Sequence, residues 1–357
     1  MLEILSVNKK ALITGVTGQD GAYLARFLLD RGYEVYGTYR RLSTPNFWRL
    51  QYLGVFEQIN LIPADLLDAS SILEAIKISQ PDEVYHLAAQ SFVGASFEQP
   101  VGAGEITGLG VTRILEAIRE IKPNIKFYQA SSSELYGNGS LEPQSEATSF
   151  CPASPYAAAK LYGYWVTKIY REGYGIFACN GILFNHESPI RGLEFVTRKI
   201  SNAVAKIALG LEKELKLGNL EAKRDWGYAP EYVESMWLIL QQEEPGDYVI
   251  ATNETHTVQE FAAKAFAVAD LNWQNYVSVE EKFFRPLDVH YLQGDFSLAK
   301  QKLEWEPRVK FDQLVENMVK EDLQRWQKWL KGERFPWDAP NYPSENKILS
   351  RMWRLER

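Results

Sequence analysis

Cysteine is scarce in this chain: Cys151 and Cys179 are the only two among 357 residues. Two thiols cannot make a disulfide framework or a zinc site of paired cysteines, so both read as free thiols of a reducing compartment. No metal site is expected, and the expected location is the cytoplasm. Long apolar runs are missing as well. No stretch approaches the roughly 20 apolar residues that a membrane span requires, and residues 1–10 contain no apolar signal core. Positive charge is in short supply: the net charge is −7. An acidic chain binds anions only through local basic clusters and helix ends, which argues against coating nucleic acid. Internal repeats and low-complexity segments are absent. What is present is ordinary for a globular enzyme, with 46% hydrophobic and 24% charged residues. The length exceeds that of a typical single domain and suggests one or two domains sharing a cleft.

The first half alternates two kinds of segment. Residues 10–14, 34–39, 59–63, 83–88, 126–130 and 177–184 read as apolar strands. Between them lie helical stretches, the first over residues 21–31 with Tyr23, Leu24, Phe27 and Leu28 on one stripe and Gly32 as its stop. Such alternation predicts an α/β fold, a doubly wound parallel sheet with helices on both faces. The second half is less regular. Helices are expected over residues 195–210, 231–241, 258–269 and 311–331, in a smaller, partly discontinuous α/β lobe over the carboxyl ends of the strands. The division that follows is residues 1–185 for the sheet domain, 186–331 mainly for the lobe, some of whose segments can return to the sheet, and 332–357 for an irregular tail.

The first strand runs into Gly15-Val16-Thr17-Gly18-Gln19-Asp20-Gly21. Its glycines stand three apart, unlike GxGxxG, but the physics is shared. Gly15 permits a tight turn, Gly18 lets backbone approach a pyrophosphate, and Gly21 lets helix pack close to strand. The helix that follows offers free N–H groups and a positive dipole end to phosphates. The second strand ends in Thr38-Tyr39-Arg40-Arg41, where an NAD enzyme usually carries an acid for the ribose diol. Two arginines suit a 2′-phosphate instead and predict NADP. Asp65-Leu66, after the third strand, can receive the adenine. Leu87-Ala88-Ala89-Gln90-Ser91, after the fourth, supplies small residues where backbone passes under a dinucleotide.

Tyr156 and Lys160 are four apart and share a helix face, with Pro155 at a position where helices begin. A lysine beside a phenol is expected to lower the phenol pKa and make a usable base. Ser131-Ser132-Ser133-Glu134 closes the strand before them, at the end where open α/β sheets bind ligands. Ser132 can hydrogen-bond a sugar oxygen. Glu134 can remove a carbon-bound proton and protonate a departing hydroxyl. A simple dehydrogenase uses Ser, Tyr and Lys but has no evident use for the Glu, which points to elimination.

These residues resemble the GDP-mannose 4,6-dehydratase family of extended short-chain dehydrogenases, which have a Rossmann fold. The likeness spans nearly all of residues 8–325. It rests on the glycine turn, on residues 87–91, on Ser133-Glu134-Leu135-Tyr136-Gly137, on the block from Asn180 through Asn185-His186-Glu187-Ser188-Pro189, on Lys223-Arg224-Asp225-Trp226-Gly227 and on Phe284-Arg285-Pro286. The resemblance implies catalytic roles for Ser132, Glu134, Tyr156 and Lys160. It implies NADP contacts for Thr17, Gln19, Asp20, Arg40, Arg41, Ser43, Gln90, His186 and Arg191 beside the glycines, Asp65, Leu66, Leu87, Ala89, Tyr156 and Lys160. Around a GDP-sugar it implies Ser91, Glu134, Asn185, Lys199, Leu217, Arg224, Arg285 and Asp288. The chain departs from the family at Ala153 and Ile190, where arginines are usual, and at Gly102, where some members have tyrosine.

The implied reaction is an internal redox cycle: oxidation at C4, loss of water across C5 and C6, and return of hydride to C6. GDP-mannose is the expected substrate, with another GDP-sugar such as a GDP-heptose as the alternative. A nucleotide-sugar epimerase or reductase would share the glycine turn, Tyr156 and Lys160 but would not need Glu134. A non-catalytic NADP-binding regulator would typically lack one of these three side chains, and all are present. The resemblance also implies a homodimer or homotetramer. Phe47, Trp48 and the tail aromatics Phe335, Trp337, Tyr342 and Trp353 are the residues expected to cover a neighbour.

Overall fold

The structure is a computed structural model that describes residues 8–44, 46–139 and 142–341. The chain begins β1 (Lys10–Thr14), α1 (Gln19–Leu29), β2 (Glu34–Tyr39), α2 (Trp48–Tyr52), β3 (Asn60–Pro63), α3 (Ala69–Ser79) and β4 (Glu83–His86). Next come α4 (Val93–Glu98), α5 (Pro100–Ala103), a π-helical stretch at Gly104–Leu109, α6 (Gly110–Ile121), β5 (Lys126–Ser132), α7 (Pro155–Tyr174) and β6 (Ala178–Leu183). Strands β1, β4, β5 and β6 are short and buried on both faces, as helix-covered parallel strands must be, while the edge strand β3 is mostly exposed. Helix α1 starts two residues before the apolar stripe suggests, because Gln19 and Asp20 of the turn already form its first turn. It ends at Leu29, where the N–H groups of Arg31 and Tyr33 both donate to the carbonyl of Leu28 and that of Gly32 to Leu29.

The remaining elements are β7 (Asn185–Glu187), α8 (Val196–Ala208), β8 (Leu215–Leu217), β9 (Lys223–Arg224), β10 (Trp226–Tyr228), α9 (Ala229–Gln241), β11 (Asp247–Ile250), β12 (His256–Thr257), α10 (Val258–Val268), β13 (Val277–Val279), α11 (Ser297–Leu303) and α12 (Phe311–Leu330). The central sheet has seven parallel strands in the order β11-β6-β5-β4-β1-β2-β3. The order reverses at β1, the topological switch where such sheets open a crevice. Three small strand pairs, β7 with β10, β8 with β13 and β9 with β12, build the lobe together with α8, α10 and α12. Chain beyond residue 185 also returns to the central sheet, since β11 pairs with β6 and α9 packs on its face.

Two aromatic groups do not do what their size suggests in the sequence. Trp48 is buried and Phe47 packs edge-on against Tyr39 inside the chain's own core. Trp337 is also buried and meets Trp326 of α12 at 5.0 Å, with Phe335 stacked on it. These side chains cover their own subunit; Tyr342 and Trp353 lie outside the described residues. The docking is fixed by charge. Arg198 of α8 is fully buried, donates to both carboxylate oxygens of Asp322 at 3.1 and 3.0 Å, and reaches Asp338 at 3.4 Å. Ser201 and Arg325 complete the coordination of Asp322.

Candidate active site

Two cavities meet above the carboxyl ends of the strands. The first, of about 530 Å³, is lined by Gly15, Thr17, Gly18, Arg40, Asp65, Leu66 and Gln90 among others. The second, of about 290 Å³, lies between sheet and lobe and holds Asp20, Ser132, Glu134, Tyr156, Lys160, Asn185, His186, Arg191, Lys199, Leu217, Arg224, Arg285 and Asp288. Leu87, Ala89 and Ser91 line both, so one elongated molecule can occupy the two together.

The turn geometry explains the first cavity. Gly15 has φ +71°, and a Cβ there would stand 2.9 Å from Cα of Ala88. A Cβ on Gly21 would stand 2.5 Å from the carbonyl oxygen of Gly15. Gly21 therefore serves the turn and lines neither cavity. Gln19 is buried and acts as a brace: its amide donates to the carbonyl of His186, and its oxygen accepts from Ser188. Arg41 and Ser43 are exposed and line neither cavity, whereas Arg40 does line the first. Thr14 and His86, which sequence reasoning passed over, hold the 87–91 run in place. The Thr14 hydroxyl oxygen accepts from the N–H of Leu87 and Ala88 and lies 2.7 Å from Nδ1 of His86. Burial pushes the His86 pKa down to about 3, so this imidazole is neutral.

Helix α7 begins at Pro155, with the Ser154 hydroxyl accepting from the N–H of Ala157. That cap aims Tyr156 and Lys160 at the end of β5. Lys160 Nζ donates to the carbonyl of Ala130 at 2.6 Å. Burial lowers its pKa to about 8 against the opposing charge of Asp20. Tyr156 corrects the sequence expectation. Burial raises its pKa to about 12, the hydrogen bond from Ser132 pulls it down, and the charge of Glu134 pushes it up again. Desolvation outweighs the lysine, whose ammonium is turned to the Ala130 carbonyl. At neutral pH the phenol is therefore protonated.

Glu134 sits just past β5, its N–H donating to the Ser132 hydroxyl at 3.2 Å. Its carboxylate is 3.8 Å from Arg285, which also lies 3.7 Å from Asp288. Arg224 is buried and spends its donors inside the lobe, on the carbonyls of Lys223 and Val289 and on Asp288. Asn219 donates to the same Asp288 at 3.1 Å. Lys199 donates to the carbonyl of Lys216, with its Nζ 3.9 Å from the ring centre of Phe283. Asn219, Phe283 and Glu194 line the cleft and were not singled out in the sequence; Asn219 and Glu194 stand outside helices and strands and Phe283 in a single 3₁₀ turn, none with a periodicity to reveal it. Oδ1 of Asn185 and Oε1 of Gln90 are buried with no hydrogen-bond partner among the described residues. Acceptors in that state are open to a donor from a bound molecule or a water. No group of three or more metal-ligating side chains occurs among the described residues.

The family model described as GDP-mannose 4,6 dehydratase matches residues 12–318. The chain belongs to the GDP-mannose 4,6-dehydratase family. It is 52% identical over 331 residues to GDP-mannose 4,6 dehydratase 2 of Arabidopsis thaliana, covering 90% of this chain and 88% of that one. It is 49% identical over 339 residues to GDP-mannose 4,6 dehydratase of Homo sapiens, covering 88% and 91%. Among solved structures, UDP-glucose 4-epimerase of Thermus thermophilus in complex with NAD matches with a TM-score of 0.77 at 26% identity, covering 87% of this chain and 98% of that one. That epimerase has the same architecture, so what sets this family apart must lie in side chains of the cleft rather than in the sheet.

Proposed function

We infer that this chain is a hydro-lyase that converts GDP-mannose to GDP-4-keto-6-deoxymannose, using a nicotinamide dinucleotide as its redox partner. The observation that carries the reading is Glu134, a buried carboxylate beside Tyr156 in a family whose relatives bear that activity. We propose NADP as the form bound: Arg40 lines the first cavity, and no carboxylate stands at the end of β2. Gly15, Thr17, Gly18, Asp65, Leu66 and Gln90 would hold the adenosine and pyrophosphate part, with Arg40 at the 2′-phosphate. Leu87, Ala89 and Ser91 would carry the chain of the molecule into the second cavity. When bound, the oxidised nicotinamide supplies a hydride acceptor and a positive charge beside Tyr156.

Within that frame the side chains divide the work. Tyr156 would take the proton of the sugar 4-hydroxyl as a phenolate, which the Ser132 hydrogen bond, the charge of Arg191 and the positive charge of a bound oxidised nicotinamide would favour. Glu134 removes the C5 proton, which a 4-keto group acidifies, and delivers a proton to the leaving C6 oxygen. Such a positioned acid–base group contributes about 10²–10⁴-fold. Arg285 faces the diphosphate, while Arg224 positions the 288–289 segment, and Lys199, Leu217 and Phe283 surround the base. Mass spectrometry of products from a panel of GDP-, UDP- and dTDP-sugars tests the assignment. Loss of one water from GDP-mannose is expected, and preference for UDP- or dTDP-sugars overturns it. Replacing Arg40 and Arg41 by Ala should weaken NADP binding and leave NAD binding nearly unchanged; equal losses overturn the 2′-phosphate role. We place the protein in the cytoplasm on its two free thiols, and among the described residues no helix is long and apolar enough to cross a membrane.

A further inference from the structure

Asp20 leaves the glycine turn and enters the second cavity, beside Tyr156 and Lys160. Its Oδ2 lies 2.8 Å from Nε2 of His186, and its Oδ1 accepts from Gln19 at 3.0 Å. The other imidazole nitrogen, Nδ1, is 2.7 Å from the carbonyl oxygen of Phe184. A carbonyl only accepts, so Nδ1 carries a proton. An ionised Asp20 only accepts, and Nε2 then carries a second proton. A neutral imidazole accepting from a protonated Asp20 would also satisfy both contacts, but the lowered pKa of Asp20 selects the imidazolium facing a carboxylate. The electrostatics agree. Burial opposes charge on both groups, yet their attraction overrides it, holding Asp20 down to about 2 and lifting His186 above its ordinary value. The ring is fixed by stacking on Tyr232 at 4.6 Å.

The pair is not symmetric toward the cavity. The Asp20 side chain is 21% exposed and His186 11%, so the carboxylate is the more open partner. Its charge is felt at both Tyr156 and Lys160, the groups at which proton and hydride transfer would meet. We propose that the Asp20–His186 pair sets how strongly the site prefers an oxidised nicotinamide over a reduced one. This rests on the reading of the site as nicotinamide-binding. Reduction brings two electrons and one proton to the ring as hydride from the substrate carbon and cancels the ring's positive charge. A fixed anion nearby stabilises the cationic, oxidised ring and not the neutral, reduced one. The imidazolium screens that preference. The carboxylate would thus favour giving back at C6 a hydride taken from C4, and the imidazolium would limit that bias.

Dissociation constants of NADP+ and NADPH, measured by calorimetry on the intact protein, test this without any turnover. The two ligands share every phosphate and ribose, so effects on those parts cancel in the ratio Kd(NADP+)/Kd(NADPH). Asp20→Asn should raise that ratio about tenfold, the size expected of one charge acting across a partly desolvated site. His186→Gln should move it the other way, because the anion is left unscreened. Opposite signs are the signature of a charge effect. If both constants change by the same factor in each variant, the pair is a structural brace and the proposal is overturned. Should Asp20→Asn fail to fold by circular dichroism, the sign of the His186→Gln shift decides alone. Failure of the wild type to bind either ligand would instead remove the nicotinamide reading.

Discussion

Glu134 and Lys160 are the two side chains whose surroundings predict most about behaviour. The carboxylate of Glu134 raises the pKa of Tyr156, so it opposes the phenolate that C4 oxidation requires. Neutralising it leaves oxidation intact while removing the acid–base group for elimination. Glu134→Gln should therefore form NADPH on mixing with GDP-mannose and stall, with the near-ultraviolet band of reduced nicotinamide rising and persisting. Dehydration at close to the wild-type rate would remove Glu134 from its role. Lys160 makes a stability prediction with a definite sign. Its pKa falls from 10.5 unfolded to about 8 folded, so between those values the unfolded chain binds more protons. Stability then rises with pH across that window. Below about pH 8 the buried charge is a cost, as is common for functional groups. Lys160→Met should lose activity, and the stability of the wild type relative to this variant should climb from pH 8 to 10. A flat difference in chemical denaturation across that range would contradict the burial argument.

Elements pack through a small number of buried charges, and the Arg198–Asp322 pair is the clearest. It ties α8, which carries Lys199 into the cleft, to α12 and to Asp338. Removing one member of a buried pair leaves the other unpaired at a cost of about 3–5 kcal/mol. Asp322→Ala should lower stability by that amount in urea unfolding. Arg198→Met with Asp322→Leu should recover little of it, because Asp338 and Arg325 then lose these buried partners. Nothing in the sequence announces this contact, since its members are 124 residues apart. The same reason hides Thr14 with His86 and Trp48 with the core. By contrast β1, β4, β5 and β6 are legible because strands covered on both faces must be apolar throughout. The Tyr156–Lys160 spacing is legible because a helix repeats every 3.6 residues. The lobe strands are two or three residues long, too short for any alternation to show. The raised pKa of Tyr156 escaped sequence reading for a related reason: spacing places the lysine on the right face but does not show where its ammonium points.

At the scale of the whole molecule, the surface is incomplete in one place. Tyr162, Trp165 and Ile169 of α7 are 42%, 48% and 56% exposed, and their spacing puts them on one face. Val101 of α5 and Leu109, the last residue of the π-helical stretch, are 78% and 38% exposed, and Thr112 of α6 meets Tyr162 through their hydroxyls. An apolar stripe of this kind on two adjacent helices suits pairing with the same stripe of a second copy, since a two-fold contact presents one surface to itself. We propose a homodimer through α6 and α7, with a tetramer as the alternative assembly. The residues first suspected, Trp48 and Trp337, are spent within the subunit. Helix α7 also carries Tyr156 and Lys160 on its opposite, buried side, so the contact would stiffen the catalytic helix from behind. Trp165→Glu with Ile169→Glu should halve the mass seen by light scattering at micromolar concentration and lower turnover without changing the products. Charges at the centre of such a contact cost several kcal/mol in association, enough to dissociate a dimer of ordinary affinity. A wild type that is monomeric at that concentration, or a double variant that keeps its mass, would show that this face is not the interface.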